Sequence, residues 1–166
     1  MYYNRYIRIR KGLYKLQNNT QEFEQIIMDM KENEIVQKMK DYRQHYDTSC
    51  YEHCLNVSYI SYKICKKTKL DYVAVARASM VHDLFLYDWR KRQDGRKGLH
   101  GFTHPKTSLE NAKKLFELSE KEEDIILKHM WPLTLKFPKY KESWVVTCVD
   151  KYCAIKESFN HYFPKQ

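Results

Sequence analysis

An imidazole and a carboxylate stand side by side in Met80-Val81-His82-Asp83-Leu84, inside a mainly apolar segment from Ala74 to Leu86. Buried without partners, polar groups cost about 2–7 kcal/mol each, and a charge costs more. A His-Asp pair at a solvated helix end escapes that cost, so the pair by itself means little. It gains weight from what recurs along the chain, because His53, His104, His129 and Asp150 also stand at places where the apolar spacing turns inward. A lone inward histidine is ordinarily a satisfied core residue. Several such groups, His53, His82, Asp83, His104, His129 and Asp150, are satisfied together by one shared cationic centre, and a metal ion is that centre. Imidazole and carboxylate donors without thiolate suit iron, manganese or zinc.

The elements that must position these residues are helical. Ser49 followed by Glu52 has the form of a capping box, and the helix it starts has an inner face reading His53, Val57, Ile60 and Ile64. After the basic run Lys66-Lys67-Thr68-Lys69, Asp71 is placed to cap a second helix. On it Val75, Ser79, His82 and Asp83 fall at i, i+4, i+7 and i+8, so the pair points inward. A short turn makes these two helices antiparallel neighbours, with His53 near one start and His82 near the next end. His104-Pro105 is expected to restart helix, with proline in its first turn and Ala112, Leu115 and Phe116 on its apolar face. Ser119 with Glu122 forms a second capping box ahead of Ile125, Ile126 and His129, and Trp131-Pro132 and Phe137-Pro138 end that helix. A last helix, about Glu142 to Phe159, sets Asp150 on a face with Val146, Cys153 and Ala154. Upstream, Asn19 and Glu22 give an N-cap signal for one helix or two short ones near residues 20–42, with no chemistry in them.

Between the second and third of these helices the periodicity stops. The stretch from Tyr87 to Thr103 carries Arg90, Lys91, Arg92, Arg96 and Lys97 against two acids, and it leaves directly from the His-Asp pair. It reads either as a solvated charge run or as the source of cationic donors for a phosphate. His100, within it, is ordinarily a bystander; its catalytic reading is a group supporting the ligands from behind or the acid for a leaving oxygen.

A chain of 166 residues with only 4 glycines and 4 prolines has little punctuation for strands, and an almost all-α domain follows. Residues 1–18 form a basic, tyrosine-rich arm, and residues 19–166 a single helical domain. The arm could lie along a nucleic-acid backbone with its tyrosines on bases, or simply pack its tyrosines on the domain. A formal charge of +9 favours polyanionic partners: nucleic acid, nucleotide or phosphorylated metabolite. The 5 cysteines are an odd set with no Cys-x-x-Cys pair, read as reduced core residues of a cytoplasmic protein. No apolar run is long enough to span a membrane or to serve as a signal-peptide core.

The order His, His-Asp, His, His, Asp resembles the HD superfamily of metal-dependent phosphohydrolases over roughly Ser49 to Tyr152. His53 at a helix start, Val81-His82-Asp83-Leu84, His104-Pro105-x-x-Ser-Leu and Val149-Asp150 carry the likeness. The resemblance implies a mostly helical domain with its metals in the bundle core. Simple one-metal members need the counterparts of His53, His82, Asp83 and Asp150; His104 and His129 match the two-metal form, with Asp83 bridging the ions. Two ions about 3.5–4 Å apart can lower the pKa of a water from about 16 towards neutrality and stabilise an in-line displacement at phosphorus. The implied substrate is a nucleotide or other small phosphoester. Dinucleoside polyphosphates are one candidate class; cyclic dinucleotides are another, although the Gly-Tyr-Pro signature of one such branch is absent. Two alternatives stand beside this: a di-iron oxygenase of the same superfamily, and a non-catalytic polyanion-binding module whose ligands hold a structural site.

Overall fold

Four of the described helices start on a side chain that accepts from terminal amides. A computed structural model describes residues 19–91 and 98–162, with side chains through 159. Helix α1 occupies residues 19–26, followed by short α2 (Met28–Glu32), α3 (Glu34–Gln37) and a 3-10 turn (Lys38–Asp41). Asn33 separates α2 from α3, its side-chain oxygen accepting from the amides of Ile35 and Val36. The expected cap at Asn19 is not one. Asn19 is already helical, and its side chain accepts from Lys66 Nζ at 2.9 Å, while Glu22 takes Lys66 and the Tyr62 hydroxyl. These polar groups fasten the opening helix to α4.

Helix α4 (Cys50–Thr68) starts on the complete Ser49/Glu52 capping box and ends at Lys69 in the left-handed region (φ 59). Ahead of it lies a two-stranded antiparallel hairpin, β1 (Arg43–His45) and β2 (Thr48–Ser49), with Tyr46 at φ 48 in its turn. Nothing in the apolar periodicity marks so short a hairpin. Helix α5 (Tyr72–Met80) begins with the Asp71 side chain accepting from the Ala74 amide. It is buried on almost every side, and its small residues let α4 approach, with Ser58 Oγ donating to the Ala76 carbonyl at 2.7 Å.

Two boundaries differ from the sequence reading. Helix α5 stops at Met80, so His82 and Asp83 sit on a turn and not on the helix. Helix α6 (His100–Leu115) begins a full turn before His104, placing Pro105 inside it and residues 100–103 outside the expected loop. A proline that early removes only one amide near the helix start, where amides lack intrahelical partners or have just begun to find them. Helix α7 (Glu120–Lys128) starts on the complete Ser119/Glu122 capping box, and α8 (Lys141–Tyr162) closes the bundle. The core lies between α4, α5, α7 and α8, where Val57, Met80, Ile125 and Val146 are fully buried. The domain is all-α apart from the hairpin. No described helix is long and apolar enough to cross a membrane. Cys50, Cys54, Cys65 and Cys153 are free and buried as expected, whereas Cys148 is exposed. The arm at residues 1–18 lies outside the described residues.

Candidate metal centre

The turn after α5 explains how neighbouring residues reach one point. On a helix successive side chains diverge by about 100°. Here Val81 leaves helical geometry (φ −122, ψ 12), and the bonds Leu84 N to Val81 O (3.2 Å) and Phe85 N to Asp83 O (2.8 Å) fold the chain back. His82 Nε2 and Asp83 Oδ2 come to lie 3.5 Å apart. Cys50 Sγ, donating to the Asp83 carbonyl at 3.1 Å, and Asn111 Nδ2, donating to the Leu84 carbonyl at 2.9 Å, hold the turn from α4 and α6.

Four histidines converge on this turn, and each has its Nδ1 committed. His82 Nδ1 donates to the Ser79 carbonyl (2.7 Å), His104 Nδ1 to the His100 carbonyl (2.8 Å) and His129 Nδ1 to the Ile126 carbonyl (2.8 Å). His53 Nδ1 donates to the Glu157 carboxylate at 2.9 Å. Carbonyl and carboxylate oxygens only accept, so the proton of each neutral ring is on Nδ1 and the Nε2 lone pair faces inward.

Those lone pairs meet other acceptors. His104 Nε2 and His129 Nε2 are 2.9 Å apart, and they lie 3.1 and 3.4 Å from Asp83 Oδ1. His53 Nε2 is 3.0 Å and His82 Nε2 3.7 Å from Asp150 Oδ1. His82 Nε2 and Asp83 Oδ1 are buried without a hydrogen-bond partner. Acceptors facing acceptors in a buried site require cations or protons between them. The donors sort into overlapping groups: His53, His82 and Asp83; His82, His129 and Asp150; and Asp83, His104 and His129. Nitrogen and carboxylate oxygen donors with their outer nitrogens hydrogen-bonded fit a divalent transition-metal ion.

Electrostatics favour ionised carboxylates. Burial works to raise the Asp83 pKa, but His82 and His104 outweigh it and hold the carboxyl well below its ordinary range. Asp150 is likewise lowered against its burial by His53 and His82. Burial pushes the His53 imidazolium down, yet Asp150 and Glu157 keep its pKa well above the usual value. For His129 burial prevails over the pull of Asp83, and its pKa is lowered.

The six residues expected to ligate are thus brought together from α4, the turn after α5, α6, the end of α7 and α8. Beside them is a cavity of about 250 Å³, lined in part by Gln44, Trp89, His100, Met130 and Lys151. His100 stacks between Trp89 and His104, with its Nδ1 3.0 Å from the Tyr87 hydroxyl. Arg90 and Lys91 are placed elsewhere: both are exposed, both pair with Asp88, and neither lines the cavity. Arg92, Arg96 and Lys97 lie outside the described residues.

Three participants escaped the sequence reading. Gln44, from β1, donates Nε2 to Asp83 Oδ2 at 2.5 Å; nothing in its local sequence announces this. Lys151 brings a cation to the cavity, its Nζ held by the His129 carbonyl at 3.0 Å. Glu157 stands seven residues after Asp150 on the same face of α8, a spacing that puts it on the side of the centre without indicating His53 as its partner.

A search of curated proteins and a search of solved structures each return no match to this chain. A family profile does match: that of the HD domain, over residues 50–155, more than half of the chain and the span containing His53, His82, Asp83, His104, His129 and Asp150. The chain therefore belongs to the HD domain family, within a superfamily of metal-dependent phosphohydrolases.

Proposed function

We propose that this protein is a metal-dependent phosphohydrolase that cleaves a phosphoester or phosphoanhydride of a nucleotide or other small phosphorylated substrate. The observation that carries this reading is the face-to-face approach of His104 Nε2 and His129 Nε2 at 2.9 Å beside Asp83 Oδ1, with both Nδ1 atoms already donating to carbonyls. His53, His82, Asp83 and Asp150 would hold one divalent ion, and Asp83, His104 and His129 a second; iron, manganese and zinc all suit these donors. Ions so held would supply Lewis acidity to the phosphoryl oxygens and make a nearby water a stronger nucleophile.

The chain's own residues do the rest. Gln44 fixes the orientation of the Asp83 carboxylate. Lys151, the cation on the cavity wall among the described residues, binds a phosphoryl oxygen. His100 Nδ1 lies 3.0 Å from the Tyr87 hydroxyl, and with the hydroxyl as donor the ring proton of His100 would stand on Nε2, available to a departing oxygen. The cavity of about 250 Å³ beside the ligand cluster holds the reacting phosphate together with part of the group it is attached to, against walls that include Trp89 and Met130. Hydrolysis of an aryl phosphodiester and a nucleotide panel, with Mn²⁺ or anaerobic Fe²⁺, tests this for the native protein and Asp83→Ala. Turnover that requires Asp83 is the expected result; activity indifferent to the substitution would refute it.

A further inference from the structure

The outer nitrogens of the converging histidines are not treated alike. His82, His104 and His129 each donate Nδ1 to a backbone carbonyl three or four residues earlier, a neutral acceptor supplied by the local chain. His53 alone donates to a carboxylate, that of Glu157, 104 residues away on α8. The Glu157 side chain is nine-tenths buried, and its other oxygen accepts from Asn56 Nδ2 at 3.4 Å, so it is aimed from α4 as well as from its own helix. Asp150 and Glu157 lie two turns apart on one face of α8 and grip the His53 ring from both ends, Asp150 at Nε2 (3.0 Å) and Glu157 at Nδ1 (2.9 Å).

A carboxylate behind an imidazole acts differently from a carbonyl. Its full negative charge strengthens the hydrogen bond and pushes electron density toward the far nitrogen, making Nε2 a better donor to a cation. We infer that Glu157 is a positioning residue that sets how tightly the His53 side of the centre holds a divalent cation, while the His104–His129 side is independent of it. This rests on the metal-centre reading proposed above.

The test is a Mn²⁺ titration by calorimetry, run on His129→Ala so that the His53 side is read by itself, and on His53→Ala so that it is removed. Against the His129→Ala background, Glu157→Gln keeps an acceptor for Nδ1 but loses the charge, and Glu157→Leu loses both. The expected losses of Mn²⁺ affinity are about 10-fold and about 100-fold respectively, the range for partners of ligating histidines. In the His53→Ala background Glu157→Gln should leave Mn²⁺ affinity unchanged, which a merely structural tie between α4 and α8 would not predict. The inference is overturned if Glu157→Gln binds within twofold of its parent, or if it weakens binding equally with His53 absent. Absence of Mn²⁺ binding to every variant, native protein included, would instead remove the metal-centre reading and the inference with it.

Discussion

Asp83 joins the two halves of the centre, and replacing it should uncouple the protein from metal altogether. Its Oδ2 lies toward His82 and its Oδ1 toward His104 and His129, so Asp83→Ala leaves three donors on one side and two on the other. At a free metal concentration one hundred times Kd, each bound ion stabilises the fold by about 2.7 kcal/mol. For a chain of this length each kcal/mol moves Tm by about 2–4 °C, so each ion contributes about 5–11 °C. Loss of an outer partner alone weakens such sites by about 10–100-fold, and loss of a direct carboxylate donor should reach at least the upper end. A hundredfold loss on both sides leaves about 0.4 kcal/mol per ion, too little for a melt to resolve. His129→Ala should keep the contribution of the His53 side, because His53, His82, Asp83 and Asp150 remain. The assay is thermal unfolding with and without Mn²⁺, comparing the metal-induced shift and not Tm itself, since removing a buried carboxylate also destabilises the metal-free fold. Asp83→Asn, close in shape, serves as the second variant. Equal loss of the shift in the Asp83 and His129 variants, or a full shift surviving in Asp83→Ala, would refute the bridging role.

Lys151→Met should reduce kcat/KM on a phosphorylated substrate by about 10- to 150-fold, the value of one hydrogen bond to a charged group, while metal affinity changes little; steady-state kinetics beside a metal titration would check this. Away from the centre, Asp124 ties α7 to the start of α8, accepting from Ser143 Oγ at 2.7 Å and the Lys139 amide at 2.9 Å. Burial works to raise its pKa, but Lys128, Ser143 and the Lys139 amide outweigh it and hold it below the ordinary value. A depressed folded pKa stabilises above the unfolded value of about 3.9 and ceases to as pH falls through the folded one. Asp124→Asn should therefore lower the urea midpoint at pH 7, with the gap to wild type closing below about pH 4.

The residue order alone carried a great deal: an all-α fold, both capping boxes, the Asp71 cap and the six side chains that converge. These were legible because each leaves a local mark. A cap is a residue type at a fixed offset, and a titratable group on an apolar stripe is conspicuous against its neighbours. The His-Asp pair is conspicuous in the sequence, yet the element that carries it is a turn and not the helix the spacing predicts. Apolar spacing continues through Asp83 whether the chain stays helical or turns, and the Cys50 and Asn111 side chains that hold the turn come from distant helices.

What tertiary structure decided has one physical cause: contacts between residues far apart in the chain have no local signature. Gln44 reaches Asp83 across 39 residues, and Glu157 reaches His53 across 104. Of the cationic stretch near the pair, the described Arg90 and Lys91 stand beside Asp88, while among the described residues the cation lining the cavity is Lys151 from α8, which no local pattern announces. Sequence determined which side chains could hold a metal; the fold determined which nitrogen of each faces inward, because that depends on the acceptor standing behind the ring.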